Sequence, residues 1–313
     1  MKAILKRIGI TVLTLLLVSL LAFTAFHILP GDPASLILGT EGTPEQLEAL
    51  REELGVNRPL WQQYFSWISG LFTGQLGNSI RYHTPITALI ADRLPITFTL
   101  SVLAIILVLI ISFPLALLAA RKENGIIDKV VSAGNILGMS TPDFFTGIVF
   151  IWLFGLVLKW FTPGKYIGYQ ENIGEFVQYL IFPALAIAIP ASAMVTHFLR
   201  SSLIQELQAD YVRTAYSRGA SKGWVLTRHA LKNAMLPAVT MLGIIVGSVF
   251  SGSIIIEKVF TIPGVGQLLI SSITSRDLPL VQTLVVYIAG IVVIANSLVD
   301  IVIQIIDPRI RIK

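Results

Sequence analysis

The residue types that most often carry chemistry are sparse in this chain and poorly spaced for it. Its four histidines, His27, His83, His197 and His229, are too dispersed to suggest a shared metal site. There is no cysteine, which excludes disulfides, thiolate metal sites and cysteine nucleophiles. No GxxxxGK[ST] phosphate loop, HExxH or GxSxG sequence occurs, so nucleotide binding and the common hydrolytic chemistries lack their residues. The acids within the long apolar runs are Asp143 and Asp300, fewer than a proton-driven carrier usually holds. Asn296, Asp300 and Gln304 recur at i, i+4 and i+8 and form one polar stripe on a helix. Such a stripe either faces a water-filled path or packs against a neighbouring helix. In "GIIVGSVFSGS", Gly243 and Gly247 stand four apart, followed by Ser248, Ser251, Gly252 and Ser253. That spacing favours close helix packing over pore lining.

The richest polar chemistry lies in "QADYVRTAYSRGASKGWVLTRHALKNAMLP", Gln208 to Pro237, which could not cross a bilayer. Leu203, Ile204 and Leu207 lead into it as an apolar edge, predicting a helix along the membrane surface. A short helix carrying Asp210, Tyr211, Arg213, Thr214, Ala215 and Ser217 then ends beyond Arg218 at Gly219, a suitable C′ glycine. Ser221 caps a second helix that runs to Pro237. A glycine-punctuated, basic element of this kind suits docking a protein better than binding anionic lipid, which would need only positive charge.

The elements that position these residues follow from composition. Of 313 residues, 54% are hydrophobic and 13% charged, against roughly 25% charged in soluble domains. The solvent must be partly lipid. A net charge of +5 fits basic loops facing an anionic leaflet and is too slight and scattered for nucleic-acid binding. Six runs can cross the hydrocarbon: Ile8–Leu29, Ile96–Ala120, Val130–Leu158, Tyr179–Leu199, Pro237–Ile256 and Val281–Ile303. The first is too long for a signal h-region and is expected to be an uncleaved span. In the third, "MSTPDFF" offers a hydroxyl N-cap at Ser140 or Thr141, Pro142 at the first helical position and Asp143 in the first turn. A helix break or restart at Pro142 is predicted. With both termini in the cytoplasm, fifteen of the 23 Lys and Arg fall on the inner side.

Between the first two runs, Thr43 (N-cap), Pro44 (N1) and Gly55 (stop) bound a helix with Leu47, Leu50 and Leu54 on one face. The aromatic segment "LWQQYFSWISGLF" suits the lipid interface. This loop is expected to form a lid on the membrane core. "EKVFTIPGVGQLLISSITSRDLP", interrupted at Pro263, Gly264 and Gly266, predicts a re-entrant or interfacial hairpin on the outer side.

"DYVRTAYSRGASKGWVLTRHALKNAMLP" resembles the cytoplasmic EAA loop of ABC importer permeases, in the form used by the dipeptide, oligopeptide and nickel group. The likeness extends to "PGDP" (Pro30–Pro33), "LGNS" (Leu76–Ser79), "LPITFTL" (Leu94–Leu100), "STPDFF", "IIIEKVFTIPGVG" (Ile254–Gly266), "SRDLPLVQ" (Ser275–Gln282) and "DPRIR" (Asp307–Arg311). Together these are highly specific. The resemblance implies an all-α polytopic membrane protein with six transmembrane helices in a type I ABC importer permease fold, carrying a small extracytoplasmic domain between helices 1 and 2. It implies a first spanning helix (1–29), the extracytoplasmic domain (30–95), a five-helix core (96–304) with a coupling loop at about 200–236, and a cytoplasmic tail (305–313).

In such permeases the loop forms a coupling helix seated in a cleft of the ATPase. Arg213, Thr214 and Ala215 fall where the wider family has Glu-Ala-Ala, and Gly219 matches its glycine. Arg213 replaces the acid, and the later Ile-x-Leu-Pro element is replaced by His229, Ala230, Leu231 and Lys232, with Leu-Pro only at Leu236–Pro237. The resemblance further implies a second homologous permease, two ABC ATPases and an extracytoplasmic solute-binding protein as partners. No cofactor is expected on this chain, ATP being used by the partner subunits. The expected cargo is small peptides, with nickel or a metal chelate as the alternative. A different class, an ion-gradient-driven secondary carrier, would need no ATPase, and a membrane enzyme would need catalytic pairs that are missing. Asp143, Ser248, Ser251, Asn296 and Asp300 are the candidates for the translocation path.

Overall fold

The computed structural model describes residues 2–28, 33–38 and 43–306. "PGDP" up to Asp32 and the terminal "DPRIR" lie outside these residues. The only regular secondary structure among the described residues is helical, with a single isolated bridge, Asn78 to Pro85, and no strand. The helices are α1 (Lys2–Ile28), α2 (Pro33–Leu38), α3 (Pro44–Leu54), α4 (Leu60–Thr73), α5 (Ile86–Arg121), α6 (Ile126–Ser140), α7 (Asp143–Phe150), α8 (Ile173–Leu207), α9 (Asp210–Ser217), α10 (Lys222–Val225), α11 (Leu231–Phe260), α12 (Val265–Thr274) and α13 (Leu278–Ile306). π-helical segments follow α7 (Ile151–Val157) and α10 (Leu226–Ala230). α1, α5, α8, α11 and α13 are long and apolar enough to cross a membrane, and the α6–α7 pair, bent by 103°, brings the number to six when counted as one crossing.

α8 is the hub. It packs against α5, α6, α7 and α11, while α1 reaches the bundle mainly through α13. In keeping with this, 61% of the apolar window of α8 is buried against 17% for α1. The central cluster joins Leu100, Ala104 and Val108 of α5 to Leu180, Ala184 and Ile187 of α8 and Ile256 and Phe260 of α11.

Several boundaries differ from those predicted. α5 begins ten residues before Ile96, because Ile86 and Ile90 are buried against Val265, Leu268 and Leu280 and pull the polar first turns into the helix. The surface helix expected at Leu203–Leu207 is the last part of α8. No breaker interrupts it, and Leu203 is fully buried against Ala116, Ala120, Leu226 and Ala230. The helix expected to stop at Pro237 continues to Phe260, since Ala230, Ala234 and Ala238 bury one continuous face. That packing outweighs the proline's lost hydrogen bond.

The break at Pro142 is present, but its capping differs from the prediction. Thr141, restricted by the following proline, is extended at φ −98° and ψ 121°, which ends α6. Pro142 is itself the cap residue of α7, and Asp143 is the first helical residue. The hydroxyls of Ser140 and Thr141 donate back to the carbonyls of Ile136 (2.8 Å) and Leu137 (2.7 Å) instead of capping. The expected hairpin after α11 is a turn through Thr261, Pro263 and Gly264 followed by the ten-residue helix α12, with Gly266 inside it. The α3 signals hold: Thr43 and Gln46 form a reciprocal capping box, and Gly55 closes the helix in the left-handed region at φ 68°.

Candidate functional site

The segment joining α8 to α11 projects from one end of the bundle as a compact knob. Val212 is the only buried residue of α9; Asp210, Tyr211, Arg213, Thr214 and Ser217 are exposed and Ala215 is partly so. Arg218 is the C-cap, and Gly219 follows at φ +85°. The Gly219 N–H donates to the Tyr216 carbonyl (2.9 Å) and the Ala220 N–H to the Ala215 carbonyl (3.2 Å). This pair of bonds is the Schellman arrangement, and it requires a residue that tolerates positive φ. Ser221 then caps α10, its hydroxyl accepting from the Trp224 N–H at 3.4 Å. Arg213 and Asp210 lie 3.7 Å apart and are both largely exposed, so the pair sets charge pattern more than stability.

Five of the predicted residues, Tyr211, Thr214, Ala215, Arg218 and Gly219, line a groove of about 510 Å³ with Ala220, Trp224 and His229. Trp224 is 50% exposed and meets His229 edge to face at 4.7 Å. These two rings are five residues apart, a spacing that a 3.6-residue period would not pair. The π-helical segment from Leu226 to Ala230 brings them together. The Tyr211 hydroxyl donates to the Glu206 carboxylate (2.5 Å) and accepts from the Asn233 amide (3.1 Å). Partial burial, then the bond to Glu206, pushes the Tyr211 phenol above its usual pKa, so it stays a neutral donor at physiological pH. Below the groove, Leu226 and Ala230 sit in a buried cluster with Ala116 and Ala120 of α5 and Leu199 and Leu203 of α8.

Four of the five path candidates also converge. Ser248, Ser251, Asn296 and Asp300 line one groove of about 400 Å³ between α11 and α13, with Thr240, Gly243, Gly247 and Val292. A Cβ at Gly247 would lie 2.8 Å from the Asn296 Oδ1, so the small-residue face of α11 does seat α13 closely. Asn296 Oδ1 is buried with no hydrogen-bond partner among the described residues. Asp300 forms an ion pair with Arg7 of α1, and Ser297 meets Thr11 at 2.7 Å. The stripe packs against α11 and α1 and also borders this groove; Gln304 falls outside the described side chains. Asp143 is not brought to this groove. It approaches α11 at Gly252, where an added Cβ would stand 2.7 Å from its carboxylate.

Three buried carboxylates were not foreseen as sites. Glu257, fully buried, accepts from the Thr97 hydroxyl (2.5 Å) and from the Gly266 (2.7 Å) and Gln267 (3.1 Å) N–H groups at the start of α12. Asp277, also fully buried, accepts from the Ser79 hydroxyl and from the N–H groups of Ile80 (3.3 Å) and Arg81 (3.2 Å). Asp128 of α6 takes both Nε and Nη2 of Arg200 on α8 and the Asn124 N–H at 2.8 Å. Thr97 and Glu257 are 160 positions apart, and Ser79 and Asp277 are 198 apart. Only the pairing of the resembling segments "LPITFTL" with "IIIEKVFTIPGVG", and of "LGNS" with "SRDLPLVQ", could have signalled these contacts.

Comparison with known proteins accounts for almost the entire chain. The family model described as binding-protein-dependent transport system inner membrane component matches residues 112–312, and its N-terminal companion matches residues 1–101. The chain is 35% identical to the dipeptide transport system permease protein of Lactococcus lactis over 311 residues, 99% of each chain. It is 34% identical to the oligopeptide transport system permease protein of Bacillus subtilis, over 98% of each. Its five or six apolar crossings, its helical architecture and this near-complete coverage agree: the chain belongs to the inner-membrane permease components of binding-protein-dependent ABC transport systems, multi-pass membrane subunits for which ATP hydrolysis is done by separate subunits.

Proposed function

We propose that this chain is a membrane-spanning permease subunit of an ATP-driven importer for small peptides, and that its α9–α10 knob receives the conformational drive. The observation that carries this is the knob itself. It is exposed on nearly every side, held in shape by Gly219, and continuous through Leu226 and Ala230 with a cluster reaching α5 and α8. A push on the knob therefore moves three membrane helices together. Arg213, Arg218, Lys222 and Arg228 give it a basic rim suited to an acidic cleft, and Trp224 and Tyr211 offer aromatic anchors. Two packings of the bundle, biased by nucleotide state in two partner ATPases, would alternate access.

In this reading both termini and the knob face the cytoplasm, and the end carrying α2–α4 and α12 faces outward. A second homologous permease completes the path, with the α11–α13 groove lined by Ser248, Ser251 and Asn296 as this chain's contribution. A solute-binding protein delivers cargo to the outer face, and no cofactor is held by this chain. The peptide assignment rests on the dipeptide and oligopeptide systems to which the named relatives belong. It is tested by reconstituting the assembled system in proteoliposomes with labelled dipeptide or nickel. ATP-dependent dipeptide uptake that survives ionophores is expected. Nickel uptake alone, or uptake abolished by collapsing ion gradients, would overturn it.

A further inference from the structure

The helix α4 carries no charged residue in fourteen positions and exposes an apolar face although it lies in the loop between two spans. Trp61 is 63%, Phe65 64% and Phe72 87% exposed, and these three fall on one side of the helix. Ser66, Ser69 and Thr73 fall on an adjoining side, roughly 100° around the axis, and are exposed as well. The remaining side is fixed to α1. Tyr64 bonds Ser19 through its hydroxyl at 2.8 Å, its ring meets Phe23 at 5.3 Å, and Trp67 meets the same ring at 5.9 Å. Gln63 stands 3.1 Å from His27.

These contacts fix the depth of α4. α1 crosses the bilayer from Lys6 to Ile28. Ser19 lies nine residues before the end of that span, about 13 Å along the axis, and Phe23 about 7 Å. A helix attached at those levels stands inside the outer half of the membrane, not above it. α1, to which it is attached, likewise exposes apolar side chains: Leu16, Leu17, Leu20 and Leu21 are 47–69% exposed. The hydroxyl-bearing side is then left for headgroups and water.

From this we infer that α4 is an interfacial helix embedded in the leaflet next to the outer end of α1, with acyl chains covering Trp61, Phe65 and Phe72. It anchors the loop domain to the bilayer and fixes the position of the outer mouth relative to the membrane plane. Naming the leaflet as the extracytoplasmic one rests on the orientation proposed above; the embedding itself rests only on α1 being a span.

The absence of cysteine makes the test direct. Single variants Trp61→Cys, Phe65→Cys and Phe72→Cys, with Gln62→Cys and Ser69→Cys on the polar side, are labelled with an environment-sensitive fluorophore. The assembled transporter is then reconstituted in phosphatidylethanolamine–phosphatidylglycerol vesicles. Labels on the aromatic face should lose emission to a shallow nitroxide lipid and keep it against aqueous iodide, and labels on the polar side should do the reverse. Iodide quenching of Phe65→Cys equal to that of Ser69→Cys would overturn the embedding. Protection of the aromatic face from both quenchers would overturn it too, assigning that face to a protein partner. A uniform response at all five positions would mean α4 has no oriented face and would equally refute the proposal.

Discussion

Gly219 offers the sharpest perturbation of the knob, because its surroundings isolate one physical effect. A Cβ built there meets nothing within 4 Å, so a side chain causes no clash, and the whole cost comes from holding φ at +85°. That cost is about 1–2 kcal/mol for an L-residue and highest for a β-branched one, while asparagine tolerates the region best. Only Val212 of α9 is buried, so the knob has little packing of its own to oppose the loss. A shift of 1–2 kcal/mol changes a local two-state ratio by about 5–30-fold. Transport should therefore fall in the order glycine, Gly219→Asn, Gly219→Ala, Gly219→Val, with the valine variant down by about tenfold. The bundle is untouched, so membrane insertion and thermal midpoint should stay unchanged. The assay is ATP-dependent peptide uptake in proteoliposomes, with ATP hydrolysis measured in parallel. Wild-type uptake by Gly219→Val would refute the reasoning, and so would a loss of uptake that ignores the order of the series.

Other sites give independent checks. Gly264→Ala places a Cβ within 2.3–2.4 Å of the Glu257 carboxyl group, displacing it from its donors. Disturbing its three hydrogen bonds costs about 1 kcal/mol or more for each one lost, so the detergent-solubilised protein should melt earlier, and an unchanged midpoint would contradict the buried network. Asp128→Ala leaves the Arg200 guanidinium without its carboxylate and should destabilise by about 3 kcal/mol; the double variant with Arg200→Leu should recover part of this in a melting assay. Gly247→Leu would drive a side chain into Asn296 and should block assembly or transport, and a fully active variant would show that α11 and α13 do not pack there.

The large features of the fold could be read along the chain, because apolar runs, proline and caps act locally. The six crossings, the interruption at Pro142, the Thr43 and Ser221 caps and the Gly219 turn all come from neighbours in sequence. Errors arose where packing overrides local signals. α5 begins ten residues before Ile96, and the helix expected to stop at Pro237 runs on to Phe260, because buried faces continue through both boundaries. The π-helical turn that pairs Trp224 with His229 has no sequence period to announce it. Gly264 and Gly266 read as breakers, yet they also allow close approach: a Cβ at Gly264 would meet the Glu257 carboxyl group, and one at Gly266 the Ile254 backbone. Asp143 lies against Gly252 of α11, apart from the groove lined by the other four path candidates.

The central claim, that the knob is where a partner ATPase engages, can be tested by cross-linking. In this cysteine-free chain, Arg213→Cys or Ser217→Cys carries a single thiol on an exposed face of α9. With cysteines placed around the cleft of the partner ATPase, a short bifunctional thiol reagent should trap a permease–ATPase adduct whose yield changes with nucleotide. An equal yield from a cysteine at the opposite end of the bundle, or no adduct in an actively transporting complex, would contradict the account.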